Sequence, residues 1–246
     1  MKKLMMIAGL VLLPLTGFAS GGEVHLESAN IDLGNEAAIQ RGAKLFVNYC
    51  MGCHSAKYLR YKQLTKVGLT EDDIKKNLIF GDAKIGDLMT IAMPESDASK
   101  WFGAPPPDLT LMARLKHNGA DYIYSYLKSF YTDPTRPMGV NNTVFPNVGM
   151  PNVLWELQGI QHAVYEEVEH EGKTHKVVTG VELGKPGSLT PAEFDGVVRD
   201  LATYLAYISE PVKLERQALG IWVLLFLAVF TVIAYLMKKE FWKDVH

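Results

Sequence analysis

The two cysteines of this 246-residue chain lie three positions apart, and a histidine follows the second, as Cys50-Met51-Gly52-Cys53-His54. One helical turn of this spacing brings both thiols under the two vinyl groups of a porphyrin, where they form thioethers, and the histidine falls beneath the iron. In bacteria this attachment takes place outside the cytoplasm, so it requires an exported chain. The motif predicts one covalently bound haem c with His54 as an iron ligand.

Other interpretations of the two cysteines can be compared with this one. A thioredoxin-type redox pair lies between a strand and a helix, whereas here a predicted helix precedes the motif. A structural zinc site needs further cysteines or paired histidines at finger spacing, and the other six histidines show none. A disulfide across four residues is sterically possible but would hold little of the chain together. The histidine directly after the second cysteine favours haem.

The sixth iron ligand should come from a loop far from the motif, because it must face the opposite side of the haem. Met51 lies inside the motif and cannot reach that side, and Met112 lies in a predicted helix, where core packing is the more ordinary role. Spacing alone favours Met150, in the loop Asn147-Val148-Gly149-Met150-Pro151, and leaves Met93 and Met138 open.

The elements that must position these residues are mostly helices. Asn35 is a candidate N-cap for a helix that runs into Cys50 with Ala38, Leu45, Phe46 and Tyr49 near one face, and Gly42 offers a smooth surface for another helix. Thr70 and Asp73 resemble a capping box. Residues 81–109 are predicted as mostly loop because of their proline and glycine content, and helical patterns return over 110–117 and 120–130. Residues 132–151 are again irregular.

The later part of the soluble region contains two further elements. Residues 162–182 alternate partly around Glu171-Gly172-Lys173 and predict a β-hairpin, with a disordered charged loop as the alternative. Thr190-Pro191-Ala192-Glu193 is a full capping box with proline at the first helical position. It begins a helix with apolar residues at helical spacing from Phe194 to Ile208, and Pro211 ends it.

The two ends of the chain differ from the region between them. Residues 1–19 have the basic start, short apolar run and small residues of a secretory signal peptide. Residues 218–237 carry no charge over a length that spans a bilayer core, with Arg216 before them and Lys238, Lys239 and Lys243 after. We therefore expect a periplasmic domain over 20–212, then an anchor and short cytoplasmic tail over 213–246, in the bacterial inner membrane with a single pass.

The charge of the exported part bears on its partners. The residues before position 20 and after position 237 hold five of the 25 basic residues but only two of the 27 acidic ones, so the region between them is acidic. Nothing in the charge indicates nucleic acid. An acidic domain could steer a basic redox partner, with candidate patches at Glu71-Asp72-Asp73 and at Glu166, Glu167, Glu169 and Glu171, although ordinary solvated surface is the simpler interpretation of either.

Over nearly all of the expected mature chain, the sequence resembles the cytochrome c1 family of bacterial and mitochondrial bc1 complexes. The resemblance rests on the haem motif, on Pro106-Pro107-Asp108-Leu109-Thr110 followed by Arg114, and on Asp121-Tyr122 entering a helix. It continues through Gly149-Met150-Pro151-Asn152-Val153-Leu154-Trp155-Glu156 to the amphipathic helix, Glu210-Pro211 and the C-terminal anchor. It implies a mainly α fold: a c-type cytochrome domain with loop and β-hairpin insertions, plus one C-terminal transmembrane helix.

Site residues follow from the resemblance position by position. It implies thioethers from Cys50 and Cys53 and iron ligation by His54 and Met150. It further implies that Arg114 pairs with a haem propionate, that Tyr122 lines the haem pocket, and that Pro106, within the segment Pro105 to Leu109, packs on the haem edge.

The resemblance also implies a function. As a subunit of quinol–cytochrome c reductase, beside cytochrome b, the chain would take an electron from the Rieske iron–sulfur protein and pass it to a cytochrome c, with no catalysis of its own. One alternative is a free-standing, membrane-anchored c-type cytochrome that serves another oxidase or reductase. A second is a haem enzyme or gas sensor with an open sixth position.

Overall fold

A computed structural model describes residues 25–170 and 173–244. The expected signal peptide, residues 1–19, and the expected hairpin turn at Glu171-Gly172 lie outside these residues.

The first helices lead directly to the cysteine motif. Helix α1 (Glu36–Leu45) begins where the Asn35 side chain accepts a hydrogen bond from the Ala38 amide, as the sequence predicts, and it continues into a π-helical turn, Phe46–Cys50. Strand β1 (Ala56–Arg60) and a 3₁₀ helix (Tyr61–Val67) follow. Helix α2 (Glu71–Asn77) starts with the predicted capping box of Thr70 and Asp73.

The segment 81–109 is more ordered than the sequence prediction of a loop. Strand β2 (Leu88–Met89) pairs antiparallel with β1, and helix α3 spans Glu95–Phe102. Pro94 precedes α3, acidic residues occupy its first turn, and Gly103 ends it with φ 80°. The rest of the segment is irregular, as predicted, but the sequence prediction missed α3 because its start and stop signals are embedded in a proline- and glycine-rich stretch and no side chain caps the helix start.

The middle of the chain forms short elements and then a long hairpin. The short ones are α4 (Met112–Leu115), α5 (Gly119–Lys128), β3 (Phe130–Thr132), β4 (Val140–Asn142) and α6 (Trp155–Gln158), with β3 and β4 antiparallel. Strands β5 (Gly159–His170) and β6 (Lys173–Pro186) form the predicted hairpin, which extends beyond residues 162–182 at both ends.

Helix α7 (Pro191–Ser209) organises the core, because α1, α4 and α5 all pack against it. It starts with the predicted capping box of Thr190 and Glu193. Its predicted apolar face is buried, with Phe46 of the π-helical turn against Tyr204 at a ring-centroid distance of 5.4 Å. At the crossing with α1, a Cβ on Gly42 would collide with the backbone oxygen of Asp200. Only glycine at this position allows α1 and α7 to come so close, in agreement with the prediction that Gly42 offers a smooth surface for another helix.

The last helix, α8 (Lys213–Phe241), stands apart from the core. It has a mean hydropathy of 2.6 over its most apolar stretch, none of which is buried inside the protein, and it is long enough to cross a bilayer. These properties fit a single-pass membrane anchor. The architecture is therefore mainly α, with small antiparallel hairpins and one long apolar C-terminal helix, as expected.

Candidate haem site

The two cysteines lie in the turn that ends the first long helix. The amides of Cys53 and His54 both donate to the carbonyl of Cys50, at 3.0 and 2.9 Å, so the motif is one tight turn. No disulfide joins the cysteines; Cys50 is buried and Cys53 is partly exposed. Burial, reinforced by Cys53, raises the pKa of the Cys50 thiol to about 12. This turn places the two cysteine side chains about one helical turn apart, which is the spacing needed for bonds to the two haem vinyl groups.

His54 is oriented by a backbone carbonyl. Its Nδ1 lies 2.7 Å from the carbonyl oxygen of Pro107, which can only accept, so Nδ1 carries the proton. The Nε2 lone pair is therefore left for a metal. Burial lowers the pKa of His54, while the Pro107 hydrogen bond and the charge of Asp108 act in the opposite direction with smaller effect. The imidazole is neutral and correctly protonated for an iron ligand.

The segment that supplies this carbonyl is fastened to the motif at several points. Leu109 donates its amide to the carbonyl of Ser55 at 2.9 Å, and Asp108 accepts from the amide of Lys57 at 2.7 Å. The predicted haem-edge segment, residues 105–109, therefore lies directly beside the cysteine motif. Pro106 within it is partly buried, and its contact with the haem stays a prediction.

Met150 is partly buried and packs against the same core as Cys50. Its sulfur accepts a hydrogen bond from the hydroxyl of Tyr126 at 3.4 Å. Burial raises the pKa of Tyr126, so the phenol keeps its proton. Tyr126 stacks on Tyr122, the predicted pocket residue, with ring centroids 6.0 Å apart.

The other methionines have different surroundings. Met89 is fully buried and its sulfur contacts Tyr204, while Met112 packs against the core as predicted. Met138 lines a surface cavity of about 350 Å³ together with Phe130 and Trp155. Met93 is partly buried after strand β2.

Arg114, the predicted partner of a haem propionate, lies at the surface. Its side chain is 61% exposed, and its Nη1 is 3.7 Å from a carboxylate oxygen of Glu210. Glu210 also binds Arg216 at the start of α8, at 2.6 Å. Pairing of Arg114 with a propionate stays a prediction.

The donor set fits a c-type haem. Two thiols, a neutral imidazole and a thioether match covalent attachment with histidine–methionine ligation. Within residues 25–170 and 173–244, no group of three or more His, Cys, Asp and Glu side chains could hold a bare metal ion. The zinc interpretation therefore has no support in this part of the chain.

Two contributions were not expected from the sequence. The Pro107 carbonyl could not be found by its residue type, since every residue has a carbonyl and only the fold decides which one meets His54. The sequence did contain a signal for Tyr126, because it lies four residues after the predicted pocket residue Tyr122, and residues at this spacing share a helix face.

Comparison with known proteins is consistent with this geometry. The family model described as the Cytochrome C1 family matches residues 30–171 and 187–245. Cytochrome c1 of Allochromatium vinosum is 54% identical, with 100% of both chains covered. A protein of Nitrosomonas europaea named ammonia monooxygenase gamma subunit is 43% identical, covering 100% of this chain and 99% of that protein. Cytochrome c1 of Rhodospirillum rubrum is 26% identical, over 99% and 97% of the two chains.

Proposed function

Because the chain belongs to the cytochrome c1 family, whose name implies a haem and electron transfer in the bc1 complex, we propose that it is the haem c subunit of a quinol–cytochrome c reductase. The observation that carries the proposal is the hydrogen bond between His54 and Pro107 beside the two cysteines. It presents a buried, neutral imidazole at the place where thioethers from Cys50 and Cys53 would fix a porphyrin.

When bound, the haem supplies one-electron chemistry between its ferric and ferrous states. His54 would hold the iron through Nε2, and Met150 would supply a thioether as the second protein ligand. This ligand pair would favour the reduced state and raise the potential. Arg114 would neutralise a propionate, while Tyr122 and Pro106 would exclude water from the haem.

The electron comes from a Rieske iron–sulfur protein and leaves to a cytochrome c, with cytochrome b as the membrane partner. The acidic excess of the domain favours a basic acceptor. One of the two candidate patches is already partly neutralised, because Glu71 lies 3.4 Å from Lys62 and 3.7 Å from Lys75. Glu166, Glu167 and Glu169 on the hairpin are the better candidates. If changing these three to glutamine leaves the salt dependence of cytochrome c reduction unchanged, the steering role is wrong.

The haem domain lies in the periplasm, with α8 crossing the bacterial inner membrane once. Export by the N-terminal signal peptide determines this orientation, and the lysines after the span then remain in the cytoplasm.

A spectroscopic experiment on the purified chain tests the site. A pyridine haemochrome spectrum should report two thioethers, and acid–acetone should leave the colour on the polypeptide. The ferric protein should show the sulfur-to-iron charge-transfer band. Met150→Ala should abolish this band, whereas the matched control Met138→Ala should keep it. Extraction of the haem by acid–acetone, or a band that persists in Met150→Ala, would contradict the assignment.

Two alternatives are separated by simple measurements. A gas-binding haem protein would lack the methionine band and would bind carbon monoxide readily when reduced. A free-standing carrier, or a subunit of a different oxidase or reductase, would not co-purify with cytochrome b and the iron–sulfur protein from detergent-solubilised membranes.

A further inference from the structure

The sulfur of Met150 has a polar partner from a different part of the chain. Tyr126 lies on α5, and Met150 lies 24 residues later in the loop before α6. The phenol donates to the sulfur at 3.4 Å, a distance within the range for a hydrogen bond to a thioether. A thioether sulfur has two lone pairs, so one can accept this hydrogen bond while the other faces a metal.

The ring of Tyr126 is held on two sides. Tyr122 stacks against it with an interplanar angle of 16°, and Phe130 meets it edge-on with centroids 5.3 Å apart. Tyr122 and Tyr126 lie four positions apart on one face of α5, and Phe130 begins β3. The hydroxyl of Tyr126 therefore has little freedom to turn away from the sulfur.

The loop that carries Met150 is tied to the same helix. The fully buried Asn142 donates its side-chain amide to the carbonyl of Tyr126 at 2.8 Å. Its side-chain oxygen accepts from the amides of Val144 and Phe145 at 2.9 and 3.0 Å. Asn141 similarly accepts from the amide of Asn147 at 2.8 Å. Two adjacent asparagines thus fix the course of the loop just before Met150.

We propose that Tyr126 is a positioning residue for the sixth ligand: its hydroxyl holds the Met150 sulfur so that one lone pair is directed at the iron. This inference rests on the proposed ligation by Met150. Methionine ligation favours ferrous over ferric iron, so a sulfur that is held less firmly supports a lower reduction potential. Removing the hydroxyl should therefore make Met150 easier to displace and lower the reduction potential.

The test compares Tyr126→Phe with Tyr124→Phe in the full-length, haem-loaded protein in detergent. Both remove one hydroxyl from α5, but the hydroxyl of Tyr124 lies 3.2 Å from the ammonium of Lys128 rather than beside Met150. Exogenous imidazole, which competes with methionine for ferric iron, should bind Tyr126→Phe about fivefold more tightly, the change expected for one ordinary hydrogen bond. The charge-transfer band should shift and the potential should fall in Tyr126→Phe alone.

The outcomes separate this inference from the proposed function. A wild-type protein without the charge-transfer band would overturn ligation by Met150 and this inference with it. A wild-type band, together with unchanged imidazole affinity, band and potential in Tyr126→Phe, would overturn the role of Tyr126 alone.

A measurement on the unmodified protein covers the case in which Tyr126→Phe does not accumulate. Resonance Raman spectra in H2O and D2O should differ in the iron–sulfur stretching region if an exchangeable phenol proton contacts the sulfur. Identical spectra would overturn the inference.

Discussion

Single side chains can join distant parts of the domain, and Lys128 at the end of α5 is an example. Its ammonium binds the carboxylate of Glu27 at 2.5 Å and that of Asp195 at 2.9 Å, and its side chain is 18% exposed. Burial lowers the pKa of this ammonium, but its hydrogen bonds outweigh that effect and raise the pKa overall. Lys128 thus joins the N-terminal segment, α5 and α7 through one charge.

Replacing Lys128 by methionine should destabilise the protein by about 1–2 kcal/mol, because two carboxylates lose a partly buried partner. The matched control is Lys100→Met, which removes an exposed pair with Asp97 at 3.3 Å and should cost at most about 0.5 kcal/mol. Chemical denaturation of the haem-loaded protein, followed by far-ultraviolet circular dichroism, measures both. Equal effects for the two variants would contradict this account of Lys128.

At the scale of elements, the position of the cysteine motif depends on how closely α1 approaches α7. The two helices touch at Gly42, and the bidentate pair of Arg41 with Asp200, at 2.6 and 3.0 Å, lies beside the contact. Helix α1 continues through the π-helical turn into Cys50, whereas Met150 is held by α5 and the loop that follows it. A change in the crossing of α1 and α7 would therefore move the cysteine motif relative to Met150.

We expect Gly42→Ala to destabilise the fold by about 2 kcal/mol, since the new methyl group would collide with backbone atoms that cannot move aside. Gly196→Ala is the matched control on α7, because a Cβ there meets nothing within 4 Å. It should leave stability unchanged or raise it by up to about 1 kcal/mol through helix propensity. Thermal unfolding and haem content of both variants check this, and a Gly42→Ala protein as stable as Gly196→Ala would show that the crossing tolerates a side chain.

On the scale of the whole molecule, the hairpin of β5 and β6 supplies none of the proposed haem ligands. Between its two matched ranges, the family model leaves residues 172–186 unmatched, and these include all of β6. Val164, Tyr165, Val168 and Val177 are exposed along the hairpin. At its base, by contrast, Gln161 donates its side-chain amide to the carbonyls of Lys128 and Phe130, at 2.7 and 2.8 Å.

Replacing residues 165–179 by Asn-Gly should leave haem attachment and the methionine band intact. Val164 and Gly180 face each other across the two strands, so a two-residue turn can join them. Gln161→Ala, at the base, should instead lower stability by about 1 kcal/mol, because the carbonyl of Phe130 loses the Gln161 side-chain donor, whereas the carbonyl of Lys128 keeps a hydrogen bond from Gln158 at 2.7 Å. Haemochrome spectra and denaturation curves provide the measurement. Loss of haem in the shortened protein would mean that the outer hairpin takes part in forming the site.

Much of this protein could be predicted from local sequence, because the signals concerned act over a few residues. The N-caps at Asn35, Thr70 and Thr190 are bonds between residues three positions apart, and the apolar length of α8 is a property of consecutive residues. The C-x-x-C-H motif, which predicts haem attachment, lies within a single turn of the chain. Helix α3 was missed although its signals are also local, since proline and glycine around it resemble a loop.

The tertiary structure decided what depends on residues far apart in the chain. Nothing near His54 in sequence identifies Pro107, 53 positions away, as the carbonyl that sets its tautomer. Spacing favoured Met150 and left Met93 and Met138 open, and only folding brings the Met150 sulfur to the hydroxyl of Tyr126. Long-range contacts arise from the packing of α1, α5 and α7, which is a property of the whole core. The sequence by itself therefore determined which chemistry to expect, and the fold decided which groups orient the residues concerned.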